Sequence, residues 1–432
     1  MTRRPRALAA AASILILAFA TSAGAAGFYI QEQSVRGLGR AYSGEAADTG
    51  AQSIWWNPAA IGEVEGVEIY GGLNGVFSGS QVDDSGSIIQ RPGQPAAPVG
   101  GASTAHNPLE TGAVPNFDAA WRVNQMFAVG LAVSAPFDFT TKYAGDSFTR
   151  YQAITSKLQD FDLQPTLAIH VNRYLDLGVG FDAQYAKATL SQDLPNLSPL
   201  LPDGFESLKG DGWNYGWNIG AQVHPVSALT LGASYRSSIG HTLNGTVAVS
   251  GLLGPLAAEN STLAGTANFA TPWIVVLGGR YRIDPRLTLD AQVQRVGWSE
   301  FKDINVTTLA GVTAIPQNYH DTTTGAVGLD YDVTQAWTMR AGVAYDPTPT
   351  PDDGRSARVP DGNRWMFSVG TTVRPARNIA IDGALSYVHL QRSPLDSDAT
   401  AYAGTPVVTP ISYEGEVSGH AVIVSSGVTF KF

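Results

Sequence analysis

The sequence predicts an all-β chain, a transmembrane antiparallel β-barrel of about fourteen strands. Three observations carry that prediction. Apolar and polar residues alternate with a period of two, segment after segment, from residue 67 to the end. Charged residues make up only 15% of the chain while glycine reaches 47 residues, well away from the quarter charged that is usual in soluble domains. The connections are short and long by turns, as in a barrel with tight turns on one side of a membrane and long loops on the other.

In chain order, residues 1–25 read as a signal peptide. Arg3, Arg4 and Arg6 precede an apolar run at 7–20, and Ala23-Gly24-Ala25 supplies the small-x-small cleavage pattern. That run is too short to span a bilayer, and no later stretch reaches the roughly 18 consecutive apolar residues a spanning helix needs. An exported chain of this kind either stays soluble or crosses a membrane as a barrel. Loss of the three arginines takes the formal net charge from -10 to -13. Nucleic acid is therefore excluded as a partner, since it requires a basic surface. With no cysteine there is neither a disulfide framework nor a thiolate metal site.

Residues 26–66 have no alternation, and the barrel is expected over 67–432. In YLDLGVGFDAQY, Leu175, Leu177, Val179, Phe181, Ala183 and Tyr185 share one face, with Asp176, Gly178, Gly180, Asp182 and Gln184 on the other. A soluble sandwich would carry many charges on its outer face; here the polar face is Gly, Ala, Ser, Asn and Gln with a few Asp, which suits a barrel interior. Strands are expected at 67–79, 113–123, 126–136, 161–172, 174–190, 212–224, 228–240, 267–282, 286–299, 319–333, 336–346, 363–374, 378–390 and 416–432. Short turns fall near Asn124, Asn172, Pro225, Asp284, Thr334 and Pro375; long connections include 80–112, 137–160, 191–211, 347–362 and 391–415. An even strand number leaves both termini in the periplasm. The chain ends on Phe432, with Val428 and Phe430 on the same face, the aromatic end read by the barrel assembly machinery.

The unplaced segment AGFYIQEQSVRGLGRAYSGEAADTGAQSIWWNPAAIGEV resembles the N-terminal segment of the FadL/TodX family of outer-membrane transporters, above all in AGF, GLGRAYSGEAA and NPA. The resemblance continues through TKYAGDSFTRYQAITSKL, SYRSSIGHTLNGT, VGWSEFKDI, DGNRWMFSVGTT and HAVIVSSGVTFKF, and so covers almost all of the chain after residue 25. It implies a protein of the Gram-negative outer membrane that carries hydrophobic small molecules, long-chain fatty acids first and aromatic hydrocarbons as the alternative. It implies no enzyme, no cofactor and no metal. Its surroundings would be outer-membrane lipid and lipopolysaccharide, and it would work as a monomer.

The resemblance also implies roles. Residues 26–66 would form a hatch inside the barrel, with Asn57, Pro58 and Ala59 as its motif and Phe28 reaching the ligand pocket. A kink in the third strand would open a lateral exit, for which Pro136 is the candidate because proline cannot donate to a ladder. Lys187 and Lys302 fall near the positions where fatty-acid carriers use basic residues, although alternation puts Lys187 on the lipid side. From the residues alone, the loop at 190–208 carries Leu194, Leu197, Leu200, Leu201 and Phe205, a set suited to capturing an apolar ligand or to packing on itself. Ten buried methylenes would contribute about 8 kcal/mol before entropy losses, enough for capture without a charge partner.

Competing classes have weaker support. GDSF at 145–148 resembles one lipase nucleophile motif, yet that class needs an α/β scaffold and a placed histidine for Ser147. A general porin would need an open polar lumen rather than forty residues in front of the barrel. GLGRAYSG follows no strand and lacks the lysine of a phosphate loop.

Overall fold

Strands hydrogen-bond to their sequence neighbours all the way round, and the last pairs antiparallel with the first, so the sheet is a closed barrel of fourteen strands. The computed structural model describes residues 27–432; the signal-peptide reading of residues 1–25 lies outside them. The strands are β1 Val67–Asp84, β2 Gly112–Arg122, β3 in two pieces (Phe127–Ser134 and Phe139–Lys142), β4 Thr155–Asn172, β5 Leu175–Leu194 and β6 Gly204–Val226. β7 joins Leu229–Arg236 to Ile239–Ser250, β8 Ser261–Thr271 to Trp273–Arg282, β9 Leu287–Gly297 to Asp303–Thr308, and β10 Gly311–Pro316 to Thr322–Thr334. β11 Trp337–Asp346, β12 Arg364–Ala376, β13 Ile379–Ala401 and β14 Thr409–Lys431 complete the wall.

The period of two is realised as expected. Leu177, Val179 and Phe181 point outward at 40 to 49% exposure, whereas Asp176, Asp182 and Gln184 are fully buried inside. The tight turns are set by side chains that mimic a backbone acceptor: Asn124 Oδ1 takes the amides of Met126 and Phe127, Asn172 Oδ1 that of Tyr174, and Asp284 Oδ1 those of Arg286 and Leu287. The seam is locked by Lys431 on Glu68 at 3.0 Å and by paired amide bonds between Val67 and Phe432.

Two features depart from the sequence expectation. Several strands run well past the expected membrane span: β6 starts at Gly204 rather than 212 and β13 continues to Ala401 rather than 390. Ladder pairing needs only backbone, so it persists above the bilayer where the outer face is no longer greasy. The other departure is that β3, β7, β8, β9 and β10 are each interrupted. At β8 the cause is local, since Pro272 has no amide to donate. Around the breaks in β3, β9 and β10, Phe137, Trp298, Phe301 and Tyr319 are buried.

Residues 27–66 fill the lumen. They carry one short α-helix, α1 (Val35–Leu38), three 3-10 helices (Glu45–Ala47, Ala51–Ser53 and Pro58–Ile61) and turns, and nearly every side chain is buried. The glycines of the wall's inner face make room for them. A Cβ at Gly178 or Gly220 would collide with Pro58 or Asn57, one at Gly232 with Ala46, and one at Gly342 with the Arg40 backbone. Above the barrel, the long loops pack into an apolar cap of Val99, Tyr143, Phe148, Tyr151, Ala357 and Tyr413 with their neighbours.

Candidate functional site: plug, cavity and wall gap

The plug is held by its polar groups. Asn57 donates to Ala46 O at 2.7 Å and to Ala221 O on β6 at 3.1 Å, while its own Oδ1 accepts the Ala59 amide at 2.9 Å, capping the single turn that Pro58 begins. Both tryptophans before it are buried: Trp56 stacks on Tyr42 at 5.4 Å, Trp55 stacks on Tyr29 at 5.8 Å, and the two meet edge to face at 5.0 Å. Arg236 of β7 lies 4.7 Å over the Trp55 ring and donates to Trp55 O.

In GLGRAYSGEAA the chain turns back on itself through left-handed Ala41, Tyr42 and Gly44 and wraps Arg40, which is fully buried. Its guanidinium pairs with Glu45, with Asp48 at 2.5 Å and with Asp330 of β10 at 3.4 Å. Arg280 of β8 reaches Asp48 at 2.9 Å and Asp330 at 2.8 Å, and Arg340 of β11 reaches Asp330 at 3.2 Å. Plug and wall are thus stitched by one ion network. Desolvation raises the Glu45 carboxyl, against the pull of Arg40.

Phe28 is 1% exposed and sits in an aromatic nest, 4.8 Å from Trp298, 4.9 Å from Phe301 and 6.0 Å from both Phe137 and Phe139. Against it lies a cavity of about 60 Å³, lined by Leu158, Leu190, Leu208, Leu243 and Phe269 among others. An apolar cavity of about 150 Å³ is what holds a benzene, so the space beside Phe28 is too small for such a ligand as it stands. The Asp361 carboxylate accepts the Gly27 amide at 2.7 Å, tying down the chain next to Phe28.

Arg358, from the loop between β11 and β12, also lines this cavity. Its guanidinium donates to neutral partners, Ser156 Oγ at 3.3 Å and Gln192 Oε1 at 2.5 Å, and among the described residues it forms no ion pair. Desolvation pulls it down to about 10, with Glu206 opposing, so it stays charged at neutral pH. The expected carboxylate partners need correction. Lys187 and Lys302 are both exposed and neither lines the cavity, the register of β5 turning Lys187 outward, opposite buried Ala186. Lys157 does line it, but on β4 it alternates with inward Leu158.

The third strand breaks between Ser134 and Phe139. Below the break β2 and β3 pair from Arg122↔Ala128 to Phe117↔Val133; above it, pairing resumes only at Leu109↔Thr141. The wall between has no ladder, and the plug stops it from within. Ile30 N donates to Pro136 O at 2.8 Å, Tyr29 bridges Phe137, and Ile30 packs with Val114 and Ala135. Gln33 spans the opening, donating to Ala135 O at 3.1 Å and accepting from Asn116 at 3.1 Å. Just inside, Glu32 is buried, and desolvation raises its carboxyl above the ordinary range.

The five apolar residues of the 190–208 loop divide. Leu194 belongs to β5 and is buried with Leu252 and Leu256, and Leu197 packs on them, so these two are a correction to the capture set. Leu200 at 93%, Leu201 at 40% and Phe205 at 39% remain exposed. Ser147 is buried and shares a hydrogen bond with Thr149 at 2.9 Å, a loop brace.

A family model described as outer membrane protein transport protein (OMPP1/FadL/TodX) matches residues 16–432. The chain is 28% identical over 417 residues to the long-chain fatty acid transport protein of Escherichia coli O6:H1, covering 88% of this chain and 91% of that one. In structure it is similar to a Pseudomonas aeruginosa FadL homologue, with a TM-score of 0.82 at 24% identity over 94% of this chain and 100% of the other. It is also similar to the Ralstonia pickettii toluene transporter TbuX, with a TM-score of 0.65 at 20% identity over 94% of this chain and 99% of that one.

Proposed function

Because the chain belongs to the OMPP1/FadL/TodX family of outer-membrane transporters of hydrophobic compounds, which catalyse no reaction, we propose that this member takes up long-chain fatty acids passively. The observation that carries the reading is Arg358, a cation without an ion-pair partner among the described residues, set into a cavity whose lining is mostly apolar apart from Lys157 and Gln317. Burying a charge without a direct ion-pair partner is costly. A ligand carboxylate would relieve that cost while its tail occupies the space beside Phe28, Leu190 and Leu208.

The path follows from the same geometry. Exposed Leu200, Leu201 and Phe205 capture the apolar chain, the Arg358 cavity binds it, and displaced Phe28 pulls on the strand-like pairing of residues 28–30 with 136–138. Ile30 is thereby withdrawn from Val114 and Ala135, and the ligand leaves sideways through the β2–β3 gap into lipid. Phe28, Phe269 and Phe301 at the cavity favour a second reading, aromatic hydrocarbons by the same route.

Binding of a saturated fatty acid and of its methyl ester to detergent-solubilised protein separates the two. In Arg358→Met the acid should lose about 1.5–3 kcal/mol, some 10- to 150-fold in Kd, and the ester should bind as before. Equal binding of acid by both proteins would leave the hydrocarbon reading in possession.

A further inference from the structure

We propose that the short-turn end of the barrel carries a binding site for a single zinc-class divalent ion, formed by Glu63, Asp176 and His224. The three come from separate segments: Glu63 near the end of the plug, Asp176 at the start of β5 and His224 near the end of β6. Their ligand atoms all lie within 4.8 Å of one another.

The two inner ligands are already oriented. Asp176 is fully buried, its Oδ1 meets His170 Nδ1 at 2.7 Å, and its Oδ2 faces His224 Nε2 at 3.0 Å. The other ring nitrogen of His224 lies 3.1 Å from Thr230 Oγ1, so it can donate there and leave Nε2 as the ligand. Partners of this kind on the far side of a carboxylate or imidazole are what fix metal ligands in place. A 3.0 Å separation is also close to that of two neighbouring donors bonded at about 2.0–2.2 Å to one ion.

Glu63 is exposed, so its side chain can swing onto a third position. Next to it, a Cβ on Gly62 would collide with the Asp176 carboxylate, so the plug backbone lies directly against the site. One imidazole nitrogen and two carboxylate oxygens with a fourth position for water match Zn²⁺ better than Ca²⁺, which takes six or more oxygens. The bound ion would join the plug to β5 and β6. A purely structural role, Asp176 bracing His170 and His224, would give Glu63 no part.

The test titrates the full chain, purified in detergent, with ZnCl₂ by isothermal calorimetry near neutral pH. One equivalent should bind, with affinity about tenfold or more weaker in His224→Gln and Asp176→Asn. Glu63→Gln, on an exposed side chain that carries no folding role, should weaken binding by several fold, and heat-modifiable migration on gels checks that each barrel is folded. Absence of stoichiometric binding by the wild type overturns the proposal, and so does unchanged affinity in Glu63→Gln. The latter decides alone should His224→Gln or Asp176→Asn fail to fold.

Discussion

Single residues of the plug carry charge that the wall either answers or leaves exposed to burial. Glu32 is the clearest case, because desolvation raises its carboxyl, with Arg364 opposing and Asp346 adding. A raised acid binds more protons in the folded state. Its contribution is therefore fully present below the ordinary value of 4.5 and is lost as pH rises through the raised one. The plug should accordingly be tighter at acid than at neutral pH. Hydrogen exchange of residues 28–38 measured across that range should slow on acidification beyond the intrinsic chemical effect, and Glu32→Gln should flatten the difference. The family resemblance supplied Asn57, Pro58 and Phe28 as candidates, but the sequence had no means to find Arg358. That arginine lies in a loop without periodicity, some two hundred residues from Ser156 and a comparable distance from Gln192. A faint signal did exist for the cavity: along β5 and β6 the inner face changes from Gln184 and Asn214 to Leu190 and Leu208 without a change of phase.

Among the elements, β3 carries the exit in the proposed path. Its lower piece pairs on both sides and its upper piece mainly with β4, so the opening is bounded by Phe117↔Val133 below and Leu109↔Thr141 above. Pro136 marks the break, yet the whole run 135–138 leaves the ladder, and its free backbone groups are satisfied by the plug: Pro136 O by Ile30 N and the Asp138 amide by Phe28 O. The opening is for that reason stopped by the plug. Cysteines replacing Val114 and Ala135, joined by a short bifunctional reagent, should abolish uptake by proteoliposomes, and cleavage of the reagent should restore it. Uptake unaffected by cross-linking would move the exit elsewhere. The family resemblance pointed to this strand, with Pro136 as its candidate; the span of missing ladder depends on what β2 does opposite it.

At the scale of the whole molecule, the question is what keeps a wide barrel shut. The network of Arg40, Glu45, Asp48, Arg280, Asp330 and Arg340 joins the plug to three wall strands, and removing one member leaves buried charges uncompensated at a cost of about 3–5 kcal/mol. Arg40→Met should therefore loosen the plug while the barrel, held by its own ladders, stays folded. Proteoliposomes bearing this variant should swell with small sugars where the wild type hardly does. Its sequence alone determined that this protein is a lipid-facing barrel of about fourteen strands with tight turns at one end, because a period-two pattern of side chains and tight-turn residues are local properties of the chain. Tertiary structure alone decided which cations line the cavity, where the wall lacks its ladder and where Glu63, Asp176 and His224 converge. Each of those depends on strands closing into a ring around a folded segment, which brings residues far apart in the chain within a few ångströms.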